Sequence, residues 1–170
     1  MYNRWIILVT VALLSLTAAC NPFAPDFDPD GLDDQNVLGD RSDIDGFFQF
    51  FKNAYELRDT SLYGKMFTND FIFVYYDFDA ASEQNWDKGQ EMGTAYNLFR
   101  NVQQITLDWN FYVENTVVGD TANVVRNFQL TIVENESSIF SGNGRARLRL
   151  RRESEGLPWK IYYWFDDSDF

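Results

Sequence analysis

Between Ile105 and Arg151 apolar side chains recur at every second position, and that rhythm limits the fold more than any other feature of the chain. Ile105, Leu107, Trp109, Phe111 and Val113 alternate with Thr106, Asp108, Asn110, Tyr112 and Glu114. Ala122, Val124, Phe128, Leu130 and Ile132 mark a second run, and Ala146, Leu148 and Leu150 a third. A period of two sends alternate side chains to opposite faces of a strand, so each run has one apolar face. Val117-Val-Gly-Asp-Thr turns the chain between the first two, and a polar connection from Glu134 to Gly144, around Ile139 and Phe140, joins the next. Gly156-Leu-Pro precedes a last apolar run, Trp159-Lys-Ile-Tyr-Tyr-Trp-Phe. Consecutive strands of this kind make an antiparallel meander whose one apolar face must be covered.

The cover comes from the first half of the chain. Apolar residues at Ile44, Phe47, Phe48, Phe51, Ala54 and Tyr55 have helical spacing, with Ser42 or Asp43 as the cap. Asp59-Thr-Ser starts a short second helix bearing Leu62, Tyr63, Met66 and Phe67, and Phe71 to Tyr76 reads as a buried strand. An acidic connection from Asp77 to Glu83 leads to a third helix from Asn85 to Arg100, with Met92, Ala95, Tyr96 and Phe99 on its apolar face. The expected class is α+β, a curved antiparallel sheet wrapped around N-terminal helices, over residues 43–170.

Three stretches carry a resemblance. Phe51-Lys-Asn-Ala-Tyr-Glu-Leu-Arg-Asp, Tyr63-Gly-Lys-Met-Phe-Thr-Asn-Asp-Phe-Ile-Phe and Trp159-Lys-Ile-Tyr-Tyr-Trp-Phe-Asp are similar to the nuclear transport factor two-like superfamily. The resemblance implies a cone-shaped α+β barrel with a pocket inside, and it implies no single activity, since ketosteroid isomerase, scytalone dehydratase and polyketide cyclases share the fold. Isomerases of the superfamily use an Asp base with a Tyr-plus-Asp oxyanion hole, and its dehydratases use a His–Asp pair. Histidine is absent from the chain, which excludes the dehydratase pattern. Asp108 falls on the polar face of its strand, so the isomerase pattern is not visible either.

The candidate ligand-binding residues are Arg126, Tyr163, Trp159 and Trp109. Arg126 interrupts an apolar face, and a buried guanidinium needs a partner. It is ion-paired in the core, an anchor for a carboxylate ligand, or turned outward by a bulge. Tyr163 shares a strand face with Trp159 and Ile161, as a donor into the pocket or as a core tyrosine with its hydroxyl at the rim. Arg145, Arg147, Arg149 and Arg151 form a stripe, either an anion or partner surface or a solvated face opposite acidic neighbours. Tyr162 and Trp164 fall on the other face of the last strand, so that face is expected to be covered, and the superfamily resemblance implies a homodimer through the sheet face.

The N-terminus sets the location. Arg4, an apolar stretch from Trp5 to Leu16 and the small residues Thr17-Ala-Ala before Cys20 have the three parts of a signal peptide. A helix from Trp5 to Cys20 would be roughly 24 Å long, short of the about 30 Å of a hydrocarbon core. Leu13 to Cys20 resembles a bacterial lipobox, with Thr17 where Leu is commoner. That resemblance implies residues 1–19 as a cleaved leader and lipid on Cys20. The expected partner is then a membrane, in the cell envelope and facing the periplasm from the outer membrane.

Residues 20–42 hold three of the four prolines and many aspartates, and they read as an acidic tether. Asp26, Asp28 and Asp30 with Gly31 match the first half of a calcium loop, but Val37 stands where the closing Glu belongs. No other metal and no cofactor is expected. A net charge of −12 excludes nucleic acid as a partner. The function expected is a lipoprotein domain that binds a small ligand or a protein without catalysis. The alternatives are an Asp/Tyr acid–base enzyme and a structural subunit of an envelope complex.

Overall fold

The computed structural model describes residues 35–167, all within one compact unit. The leader, Cys20 and the candidate calcium residues Asp26, Asp28 and Asp30 lie outside the described residues. The elements run α1 (Gln35–Leu38), α2 (Ile44–Glu56), α3 (Thr60–Gly64), β1 (Phe67–Asp77), β2 (Ser82–Asp87), α4 (Lys88–Asn101), β3 (Gln104–Val118), β4 (Thr121–Asn135), β5 (Ser138–Arg151) and β6 (Lys160–Asp166). The strands make one curved, unclosed sheet in the order β2-β1-β6-β5-β4-β3. Every pairing is antiparallel except β1 with β6, so β3 to β6 form the expected meander.

Helix α2 fills the concave side. Asp43 caps it by accepting a hydrogen bond from the Gly46 amide at 2.8 Å. Its apolar residues recur every three or four positions, which sends Phe47, Phe48, Phe51 and Ala54 into the core, all nearly inaccessible. Each buried phenylalanine contributes on the order of 1.5–3 kcal/mol. From the sheet, Val124, Leu148, Leu150 and Ile161 close the other side of the core.

The folded body begins before residue 43. Leu38 is buried, its carbonyl accepts from Asn53 Nδ2 at 2.9 Å, and Arg41 lies over the Phe50 ring at 4.5 Å. Two glycines permit this approach. Gly39 has φ +117°, and a side chain on it would meet the backbone of Gly46 and Phe50; one on Gly46 would meet the Asp40 backbone. Residues 38–42, read from composition as tether, therefore pack on α2.

Two further stretches differ from the reading of the sequence. Ser82 to Asp87 is a strand paired with β1, not the start of a helix, because Asp77 folds a tight turn by accepting from the amides of Asp79 and Ala80. Helix α4 then starts at Lys88 behind a capping box, with Asp87 accepting from the Gln90 amide at 3.0 Å. The connection from Glu134 to Gly144 is a short turn followed by the first half of β5, and Ile139 and Phe140 are strand residues exposed at its start.

Bulges decide which side chains face inward. On β3 the register slips between Trp109 and Tyr112 and again before Glu114. An extra residue turns the following side chains to the opposite face. Phe111, inward by strict alternation, is thus 70% exposed, and Tyr112 packs against Phe48 at 5.8 Å. On β6 Leu150 pairs with Ile161 and Arg149 with Tyr163, which leaves Tyr162 as the extra residue. Trp164 consequently pairs with Phe73 and Leu148 on the concave side, while Tyr163 turns to the convex side beside Arg149. The expectation that Trp164 faces outward is corrected by this bulge.

Candidate functional site

Inside the cone, beside the C-terminal end of β6, lies a cavity of about 170 Å³. Aromatic rings form most of its wall. Phe51 meets Trp109 at 5.2 Å and Trp164 at 5.6 Å, both edge to face, and Trp86 stacks on Phe73 at 4.4 Å. Such contacts fix the rings at orientations set by their quadrupoles. Cavities of about 150 Å³ accept a molecule the size of benzene, so this one suits a small ring.

One acid is built into that wall. Glu91, on the first turn of α4, is only 7% exposed. Its Oε1 accepts from the Tyr63 hydroxyl at 2.7 Å and its Oε2 from the Trp86 indole N–H at 2.8 Å. Burial pushes the Glu91 carboxyl above the usual range; the two hydrogen bonds oppose the shift and the nearby Asp166 charge adds to it. Burial and then Glu91 push the Tyr63 phenol up, so Tyr63 stays a proton donor at any ordinary pH. Tyr55 is raised for the same reasons and lines the same cavity. Asp166 also lines it, brought there by the β6 bulge. The indole N–H groups of Trp109 and Trp164 are buried with no hydrogen-bond partner among the described residues.

This arrangement offers an acceptor of raised proton affinity, a phenol that holds it and a largely apolar wall. A small ring with a hydroxyl or carbonyl group can be held there, and the carboxylate can take up a proton from such a ring. Among the described residues no cluster of three His, Cys, Asp or Glu side chains is placed to hold a metal ion. No helix among them is long and apolar enough to cross a membrane.

The residues expected from the sequence are dispersed. Trp109 lines the cavity. Trp159 is a core residue, 2% exposed, with Arg152 over its ring at 4.5 Å. Tyr163 is on the convex face under Arg149, 4.9 Å away, so it is not a donor into the pocket. Arg126 sits between α2 and β3 and does not line the cavity. Its Nε donates to the Asn110 carbonyl at 2.9 Å and its Nη1 to Tyr112 at 3.0 Å, and Asp45 lies at 3.9 Å. The guanidinium also covers the rings of Phe48 and Tyr112. Its partners come from the chain itself, and its acid, Asp45, is 81% exposed, so the pair lies at the surface and not in the core.

The arginine stripe is partnered as well. Arg145 and Arg147 share Asp167 at 3.5 and 2.8 Å, and Arg151 pairs with Asp70. Glu91 and Asp166 are the residues that the sequence reading missed. For Glu91 a signal exists: positions 91, 95 and 99 lie in one row along a helix, and Ala95 and Phe99 are the buried residues of α4.

No protein-family model matches the sequence, and no curated protein does. Solved structures do match, by shape. A protein of Novosphingobium aromaticivorans assigned as a scytalone dehydratase superposes with a TM-score of 0.64 at 11% identity, over 81% of this chain and 89% of its own. One from the same organism assigned as an aromatic ring hydroxylase gives 0.62 at 20% identity, over 77% and 90%. A nuclear transport factor 2-like superfamily protein of Salmonella enterica serovar Typhimurium gives 0.56 at 14%, over 72% and 85%. The chain has the nuclear transport factor 2-like cone fold. At these identities the likeness concerns the fold alone.

Proposed function

We propose that the domain binds a small ring-bearing molecule in the cone, with Glu91 as the polar contact. The observation that carries this reading is one buried carboxyl, fixed by Tyr63 and Trp86, in a cavity walled mostly by aromatic rings, with Asp166 also on its lining. Phenol, a ring with one hydroxyl, is the probe. It quenches the emission of Trp86, Trp109 and Trp164 saturably, and the Glu91→Gln variant binds it several-fold more weakly; a linear, unsaturable response overturns the reading.

The Glu91–Tyr63 contact also favours a second reading, in which Glu91 acts as a general base toward a ring carbonyl compound. Cyclohexanone in D2O then exchanges its α-protons faster with the protein than without it. Loss of that acceleration in Glu91→Gln supports catalysis, and equal rates with and without protein exclude it for this substrate class.

We further propose that Cys20 carries the lipid that holds the domain in the cell envelope, at the outer membrane facing the periplasm. The support is the leader that ends in Thr17-Ala-Ala before the chain's single cysteine. Radiolabelled palmitate enters the wild type and not Cys20→Ala. A label retained in that variant refutes the anchor.

A further inference from the structure

At the opposite end of β6 the electrostatics reverse. A cleft of about 800 Å³ opens where β1 and β6 begin and β5 ends. Arg41, Lys65, Lys88, Arg151, Arg152 and Lys160 line it, six of the chain's 14 basic residues, against two acids, Asp70 and Glu153. A chain of net charge −12 has gathered nearly half of its cations around one concavity.

Bringing like charges together costs free energy unless an opposite charge is present for part of the time. The arginines of the cleft are already engaged. Arg151 pairs with Asp70, Arg152 with Asp120 at 2.9 Å, and Arg41 donates to the Lys65 carbonyl at 3.0 Å. The two half-buried lysines differ. Lys88 Nζ donates to the Phe67 carbonyl at 3.0 Å, which uses one of its three protons, and no carboxylate among the described residues is paired with it. Lys160 makes no ion pair or side-chain hydrogen bond among the described residues. Burial, and then the charge of Lys160, pull Lys88 below its usual range, so the Lys88 ammonium feels the charge of Lys160.

We propose that this cleft is an anion site, in which Lys88 and Lys160 together hold a phosphate-type dianion presented by a soluble phosphorylated molecule or by a lipid headgroup. A dianion answers both ammonium groups at once, which a single carboxylate does not. Charge-assisted hydrogen bonds to partly desolvated donors are the stronger kind. The arginines supply surrounding positive potential while keeping their own partners. The site is separate from the aromatic cavity, so it stands or falls independently of the ligand proposed there.

Pyrophosphate is the probe, titrated by calorimetry at an ionic strength held constant with sodium chloride. Saturable binding near one equivalent is expected, weakened about tenfold or more by Lys160→Gln and by Lys88→Gln. Arg147→Gln, on the convex face, leaves it unchanged. Lys160→Gln removes no hydrogen bond or ion pair among the described residues, and its thermal midpoint serves as the check on folding. A second arm sediments the protein with phosphatidylglycerol vesicles and with neutral phosphatidylcholine vesicles. Sedimentation with the anionic vesicles alone, reversed by pyrophosphate and by Lys160→Gln, assigns the headgroup. Pyrophosphate binding without sedimentation assigns a soluble ligand. Absence of saturable heat, or binding equal in the wild type and both lysine variants, overturns the proposal.

Discussion

Lys88 and Glu91 lie three residues apart on the first turn of α4, yet they serve opposite ends of the cone. Burial moves both toward their neutral forms, Glu91 upward and Lys88 downward. Their neighbours then act differently. Glu91 receives two neutral donors, Tyr63 and Trp86, which favour its ionised form and resist the upward drift. Lys88 receives one backbone carbonyl and a second cation, Lys160, whose charge adds to the downward drift. The Glu91 carboxyl is therefore satisfied on both oxygens within the chain, whereas the basic cleft is lined by six cations against two acids. A carboxyl so satisfied is a fixed feature that a ligand meets. An ammonium pair so frustrated is one that a ligand relieves.

The largest effect should come from stripping the inner carboxyl of its donor. In Tyr63→Phe the ring remains and the hydrogen bond to Glu91 is lost, a loss of about 1.5–3 kcal/mol for a charged acceptor. The loss has a pH signature. A folded carboxyl raised above its unfolded value contributes stability that is fully present below the unfolded pKa and is lost as pH rises through the folded one. Removing the donor raises the Glu91 carboxyl further. Urea midpoints of variant and wild type should therefore diverge as pH rises through the raised Glu91 value, above the ordinary 4.5, and converge below 4.5. A gap that is constant from pH 4 to 8 would show that Glu91 is not the group responsible.

A smaller effect is expected from the element that the two sites share. Asp87 caps α4, and Asp87→Ala should cost about 1 kcal/mol. Because the first turn carries both Lys88 and Glu91, amide exchange should accelerate at residues 88–91 and weaken both sites together. Loosening of one site alone would mean that strand β2, and not the cap, sets the other.

The legibility of the chain follows the same division. The meander and α2 could be read because apolar periods of two and 3.6 recur through most of their elements, as in Ala146–Leu150 and Ile44–Ala54. The inner site was hidden by single extra residues. Tyr162 shifts β6 by one, so Trp164 and Asp166 enter the cone where Tyr163 was expected. No residue type announces such a bulge, since Tyr162 has the same character as its neighbours. Glu91 was concealed by its place: a first-turn acid ordinarily serves the helix dipole in solvent, and the row of Glu91, Ala95 and Phe99 competes with a plausible face through Met92 and Tyr96. The basic cleft was invisible for a different reason. Its cations come from five separate stretches of sequence, between Arg41 and Lys160, and only the fold brings them together.

The smallest change tests that last point most directly. Lys160→Gln deletes one charge and no hydrogen bond or ion pair among the described residues, so a change within about 0.5 kcal/mol is expected, and its sign is informative. If Lys160 does nothing but repel Lys88, the variant is slightly more stable than the wild type at pH 7 in the absence of anions, because the remaining ammonium is relieved. The Lys88 amine should also titrate closer to 10.5 by NMR of its Nζ resonance. Pyrophosphate should invert the order of stability, since the wild type then gains a ligand that holds both ammonium groups while the variant holds it with one. A variant that is less stable without anion, and equally stabilised by pyrophosphate, would mean that Lys160 supports the fold and that the cleft's charge is incidental to it.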